Sequence, residues 1–301
     1  MSPLLQRVLL AVFVVVDIFL IVGAIRHVNS TPPSTDLPAA APAGATPPPA
    51  TSATPESEPA TQLAYNFEAA EAVSLSVAND GTIVYGTRGR CSDPEARVQV
   101  STNGGAEFDP AKTGLTTVLA VRAASKTSIA IVGTTADCQV KQLNSSDAGS
   151  SWTESGKVEL WYPGVNQTTT VVTSRGQSKP GEGCVVTSIS QVTAEQGRVS
   201  CADGSFWGSG DSGKTWVQLG RLDNARVATF LTPSAGFALA RYNGCAANAF
   251  TTNDGGVTWT PGGCISGDPA RAIAATASRL VAVVDEDVYT SDNTGTVWKQ
   301  P

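Results

Sequence analysis

An octet recurs five times in this chain: Ser or Thr, any residue, Asp or Asn, any residue, Gly, two further residues, then an aromatic. The copies are Ser101–Phe108, Ser145–Trp152, Ser209–Trp216, Thr252–Trp259 and Ser291–Trp298. Repetition constrains a fold more tightly than composition, because each repeat must be one supersecondary unit stacked on its neighbours. The third residue of each copy (Asn103, Asp147, Asp211, Asp254, Asn293) can accept backbone N–H bonds within its own turn. The Gly supplies a backbone conformation that residues with a Cβ resist. The closing aromatic (Phe108, Trp152, Trp216, Trp259, Trp298) starts the next strand and covers the turn from the core side.

The third-residue slots lie 44, 64, 43 and 39 residues apart, and four-stranded propeller blades run about 40–45 residues. Strand-like runs rich in Val, Ile, Ala and Thr precede the octets: 73–77, 82–86, 128–133, 185–189, 198–202, 227–231, 237–241 and 279–284. Asn79-Asp-Gly81 and Asp203-Gly204 supply turns. No stretch shows sustained helical periodicity. The pattern predicts an all-β chain, a β-propeller of five four-stranded blades, with six as the alternative. The choice turns on an insertion at about 157–183, inside the 64-residue gap. It reads as an elaborated loop on a five-bladed ring, the preferred reading, or as a degenerate sixth blade. Ring closure must join the strands near 65–77 to the segment 298–301.

Two other segments precede the propeller, which is assigned to residues 62–301. Residues 1–28 contain Val8 to Ile25, apolar except for Asp17. As a helix this run spans about 27 Å, near the thickness of a bilayer's hydrocarbon core. It reads as an N-terminal transmembrane anchor, with a cleaved signal peptide as the alternative. Residues 29–61 are almost entirely Pro, Ala, Thr, Ser and Gly. That composition predicts a disordered, extended stalk. The propeller segment carries 18 Lys and Arg against 22 Asp and Glu, a net charge of −4, so no basic excess recruits nucleic acid. All six cysteines lie in it, none in a metal-ligand spacing. An even count behind an export signal reads as disulfides in an oxidising compartment.

The octet resembles the Asp-box (BNR repeat) of the sialidase-like propeller superfamily. The closer likeness is to its non-catalytic members, the photosystem II assembly-factor type and the sortilin-type ectodomains. In that family the octet links the third and fourth strands of a blade, away from the ligand face. The resemblance therefore makes the octet residues structural. Mapped onto that scheme, the cysteines fall toward the opposite face, with proximity suggesting Cys91–Cys138, Cys184–Cys201 and Cys245–Cys264. The same face would carry Arg88, Arg90, Arg241 and Tyr242, with Trp161, Tyr162 and Arg175 as further candidates. Asp93, Glu95, Arg97, Arg122 and the acidic triplet Asp285-Glu-Asp287 lie in the same loops. Arg and aromatic side chains are the usual anchors of recognition surfaces.

The catalytic inventory is thin. The only His is His27, outside the propeller segment, so that segment can hold neither a Ser-His-Asp triad nor a histidine metal ligand. A sialidase would need Arg, Tyr and carboxylate chemistry together with an Arg-Ile-Pro motif that the chain lacks. The expectation is a membrane-anchored, extracytoplasmic module that binds an envelope protein without catalysis. It needs no cofactor and no metal. A glycan- or small-ligand-binding propeller is the first alternative, and a sialidase-like glycoside hydrolase the second.

Overall fold

The structure, a computed structural model, describes residues 67–68, 71–91 and 96–301. The expected transmembrane helix and stalk lie outside these residues, as do Asp93 and Glu95. Among the described residues no helix is long and apolar enough to cross a membrane.

The described chain is a six-bladed β-propeller. Blade 1 is β1 (Val73–Val77), β2 (Ile83–Thr87), β3 (Val98–Ser101) and β4 (Asp109–Pro110). Blade 2 is β5 (Thr117–Ser125), β6 (Ser128–Thr134), β7 (Val140–Ser145) and β8 (Thr153–Glu154). Blade 3 has three strands: β9 (Tyr162–Gly164), β10 (Gln167–Thr173) and β11 (Gly176–Ser178). Blade 4 is β12 (Val186–Gln191), β13 (Gly197–Cys201), β14 (Ser205–Ser209) and β15 (Val217–Arg221). Blade 5 is β16 (Ala225–Phe230), β17 (Gly236–Tyr242), β18 (Cys245–Thr252) and β19 (Thr260–Ile265). Blade 6 is β20 (Ala270–Ala275), β21 (Leu280–Val284) and β22 (Asp287–Ser291). Every sheet is antiparallel and built from consecutive strands.

Five blades were the preferred expectation, and the count is six. The 157–183 insertion is the extra blade, and its inner strand shows why it escaped the repeat. β1 starts where Arg88 N bonds Ala72 O and ends at the turn beside Gly104 of the first octet. β9 runs the other way. It begins beside Trp216 of the third octet and ends at Gly164, which accepts a bond from Arg88. Blade 3 thus lacks an ordinary first strand, and the remaining three have moved inward. Its outer hairpin turns at Ser174-Arg175-Gly176 instead of an octet.

The octets sit at the hairpins after β3, β7, β14, β18 and β22. Each is an internal hydrogen-bond cage. In the third copy, Ser209 Oγ donates to Asp211 Oδ1 (2.9 Å) and accepts from Gly213 N (2.9 Å). Thr215 N donates to Asp211 Oδ1 (2.9 Å) and Thr215 Oγ1 to Oδ2 (2.7 Å). Ser151 and Thr258 donate in the same way to both oxygens of Asp147 and Asp254. Where the slot is Asn103 or Asn293, the matching residue is Glu107 or Val297, which donates only its backbone N–H. A carboxylate offers two acceptor oxygens and an amide one, so the hydroxyl occurs only where a second oxygen needs it.

Six apolar clusters, one per blade interface, hold the ring. The octet aromatics seal five of them: Phe108 between blades 6 and 1, Trp152 between 1 and 2, and Trp216 between 3 and 4. Trp259 seals 4 and 5, and Trp298 seals 5 and 6. The interface between blades 2 and 3 has no octet aromatic and is packed by Leu119, Val132 and Leu160. The inner strands also bond across blades. Ser76 Oγ accepts from Ala123 N, and Ser188 Oγ and Ser190 Oγ accept from Ala228 N and Phe230 N. These hydroxyls satisfy backbone groups that would otherwise be orphaned at a sheet edge. The ring closes by packing, with Val77 and Ile83 of blade 1 against Ala274 and Val281 of blade 6. The fourth edge of blade 6 is made by Lys299, which exchanges backbone bonds of 3.0 and 2.8 Å with Thr290.

Candidate functional site

The octets and the turns between first and second strands lie on one side of the ring. The turns between second and third strands and the blade-to-blade connections lie on the other, the far side. Three disulfides tie down the far side. Cys91–Cys138 joins blades 1 and 2 across their second-to-third-strand turns. Cys184–Cys201 closes the entry to blade 4, and Cys245–Cys264 spans blade 5 beside its β17–β18 turn. Three disulfides in one domain suit an oxidising, extracytoplasmic compartment.

Arg88 follows β2 at the far side and is the most constrained of the candidate residues. Its backbone N donates to Ala72 O (2.8 Å), and its carbonyl accepts from Val118 N (2.9 Å), tying blade 1 to blade 2. Its side chain reaches blade 3, where Nη2 donates to Gly164 O (2.8 Å). Arg88 is only 5 % exposed, and burial pushes its guanidinium down to about 10. It lines two cavities. One is a central channel of about 260 Å³ between the inner strands, which Arg122 also lines. The other is a recess of about 440 Å³ between blades 1, 2 and 3, walled by Cys91, Cys138, Thr117 and Thr168.

The remaining candidates divide between the two sides. Arg90 is exposed at the rim of the recess. Arg241 ion-pairs with Asp268 in the connection to blade 6. Tyr242 is 44 % exposed and packs edge-on against Phe250, ring centroids 5.4 Å apart. Arg97 and the turn residues Asp285, Glu286 and Asp287 are exposed.

Three expectations need correction. Trp161 is 3 % exposed and belongs to the core between blades 3 and 4, edge-on to Trp216. It lies over Gly197, where a Cβ would come within 2.1 Å of the indole, so a large aromatic here serves packing. Tyr162 is half-buried in the interface between blades 2 and 3, and burial raises its hydroxyl pKa. Arg175 is exposed but lies on the octet side, next to Thr173, whose Oγ1 bonds Ser212 O in the third octet.

Arg226 and Arg271 were not singled out from the sequence. They occupy equivalent β-bulges at the far-side ends of β16 and β20. Arg226 is buried. Arg271 Nη1 reaches Glu71 O at 3.5 Å. The signal was the matching Ala225-Arg-Val and Ala270-Arg-Ala at the start of two consecutive inner strands, which means little until the registers are known. Bulges re-aim side chains at functional rims.

The octet cages hold their carboxylates ionised. Asp211 and Asp254 are held down to about 2, Asp211 chiefly by the Thr215 backbone N–H and Asp254 chiefly by the Thr258 hydroxyl. Asp147 is lowered by Ser151 in the same way. Among the described residues no group of three or more His, Cys, Asp and Glu is placed to hold a metal.

No protein-family model matches this chain, and no curated protein matches it. Among solved structures, YCF48 bound to D1 peptide aligns at 16% identity over 81% of this chain and 74% of that one, TM-score 0.31. YCF48 from Cyanidioschyzon merolae aligns at 11% identity over 78% and 86%, TM-score 0.31. The GH74 enzyme of Niastella koreensis aligns at 12% identity over 77% of this chain, TM-score 0.44. This chain covers 46% of that enzyme.

Proposed function

We propose that this chain is a non-enzymatic recognition module of the Asp-box type. It is held at a membrane by its N-terminal segment and binds an envelope protein through the far side of the propeller. The observation that carries the reading is the joint placement of the three disulfides with Arg88, Arg90 and Arg241 on that side. Covalently stiffened loops present a surface that loses little freedom on binding, and preorganisation of this kind favours affinity. An acid–base enzyme would instead need a carboxylate raised toward neutrality. Every Asp or Glu with a resolved shift among the described residues is shifted downward. The recess of about 440 Å³ favours a second reading, a small-ligand or glycan-unit site, since such sites run about 300–1,000 Å³.

The test is affinity capture from the native envelope fraction with the oxidised full-length chain as bait. The reading expects a protein retained by the wild type and by Arg175→Ala, and lost with Arg90→Ala combined with Arg241→Ala. Retention unaffected by the pair, or lost with Arg175→Ala alone, would move the binding surface off the far side. Release of sialic acid from a fluorogenic substrate would overturn the non-enzymatic reading.

A further inference from the structure

The recess between blades 1, 2 and 3 holds more hydrogen-bond donors than the fold uses. Arg88 commits only Nη2, to Gly164 O. Its Nε and Nη1 have no partner among the described residues, burial lowers its pKa, and none of the described carboxylates ion-pairs with it. Asn166 and Thr168 line the same recess without a side-chain partner among the described residues, and Arg90 stands at its rim. Glu68 also lines it and ion-pairs with neither arginine. Burying a cation without a counter-charge is costly, so such a group is retained where something negative completes it.

We propose that this recess receives a carboxylate, gripped by Arg88 while Arg90, Asn166 and Thr168 contact the rest of the ligand. The planar guanidinium presents parallel donors that match the two oxygens of a carboxylate. One buried positive charge balances a monoanion. A phosphate dianion would be left in excess, the more so beside Glu68. A volume of about 440 Å³ admits a chain end or a single acid unit and excludes a folded surface. This inference deepens the recognition reading and rests on it for the source of the carboxylate: the C-terminus of a partner chain, with a free organic or sugar acid as the other source.

Three probes separate the outcomes on the full-length oxidised chain: acetyl-trialanine with a free C-terminal carboxylate, its amide, and sodium glucuronate. Binding is read by calorimetric titration and by the arginine Nε–H resonances in NMR. The expected result is that the acid binds, the amide does not, and one Nε–H resonance moves. Arg88→Gln should then weaken binding about 30-fold or more, the scale for truncating one partner of a buried charged hydrogen bond. Because Arg88 also caps β9, Arg90→Ala and Asn166→Ala serve as exposed variants that leave the fold intact. Each should weaken binding by about 3-fold or more. Glucuronate binding without the peptide supports the carboxylate site and removes the protein partner. Binding of neither acid, equal binding of acid and amide, or no change in any variant overturns the proposal. If envelope capture still depends on Arg90 and Arg241, the recognition reading survives alone.

Discussion

The octet side and the far side of this propeller are made by the same strands, yet they spend their polar groups differently. On the octet side the third-residue Asp or Asn of each octet turns inward on its own hairpin. Thr215, Thr258 and Ser151 occupy both oxygens of their aspartates, which leaves those carboxylates little to offer a ligand. On the far side three disulfides tie the loops, and Arg88 has donors without a partner among the described residues. The difference teaches where binding free energy can come from. A group already paired within its turn contributes to folding, whereas a buried group with donors to spare is one that a ligand could complete.

The sharpest way to break this division is at Trp161, a surface candidate by sequence and a core residue by structure. Trp161→Ala should destabilise the protein by about 3–5 kcal/mol, measured by denaturant unfolding. A small loss of stability with a large loss of partner capture would return Trp161 to the binding surface.

Next in size are the far-side staples. By loop-closure entropy, Cys91→Ser with Cys138→Ser, 47 residues apart, should cost about 4 kcal/mol. Cys184→Ser with Cys201→Ser, 17 apart, should cost about 3 kcal/mol. Only the first pair walls the recess, so only it should also weaken carboxylate binding. Equal binding losses from both pairs would mean that the staples stabilise the domain in general.

The octets predict a smaller, acid-dependent effect. Asp211 and Asp254 are depressed to about 2 in the folded state, against about 3.9 in an unfolded chain. Their contribution is present above the unfolded value and is lost as pH falls toward about 2. Asp211→Asn combined with Asp254→Asn should flatten the fall in thermal stability over that window. An unchanged acid profile would put the acid sensitivity elsewhere.

The smallest stability effects should come from single exposed arginines. Arg90→Ala and Arg175→Ala should each shift stability by no more than about 0.5 kcal/mol. Capture should fall with Arg90→Ala and hold with Arg175→Ala. The reverse pattern would exchange the roles of the two sides.

The propeller was legible because its signal is local. The octet cage closes within eight residues, and strand runs such as Val73–Val77 alternate as a half-buried strand must. Blade number was not legible, because blade 3 keeps none of the octet chemistry and its inner strand, Tyr162–Gly164, is only three residues long. The placement of the candidate residues was legible in part. Arg88, Arg90, Arg241 and Tyr242 fall where loop position put them. Trp161 and Arg175 do not, since a reversed strand exchanges the ends of a blade. Arg226 and Arg271 depend on bulges that only strand register reveals.

By itself the sequence determined an all-β repeat, the five octet hairpins and an even cysteine count that suits an oxidising compartment, because each rests on spacing within one turn or on a simple count. Only the tertiary structure decided that there are six blades, that Trp161 is buried and that Arg88 is buried between two cavities. Those depend on which way β9 runs and on what meets across 76 residues of chain between Arg88 and Gly164, and no local pattern carries that information.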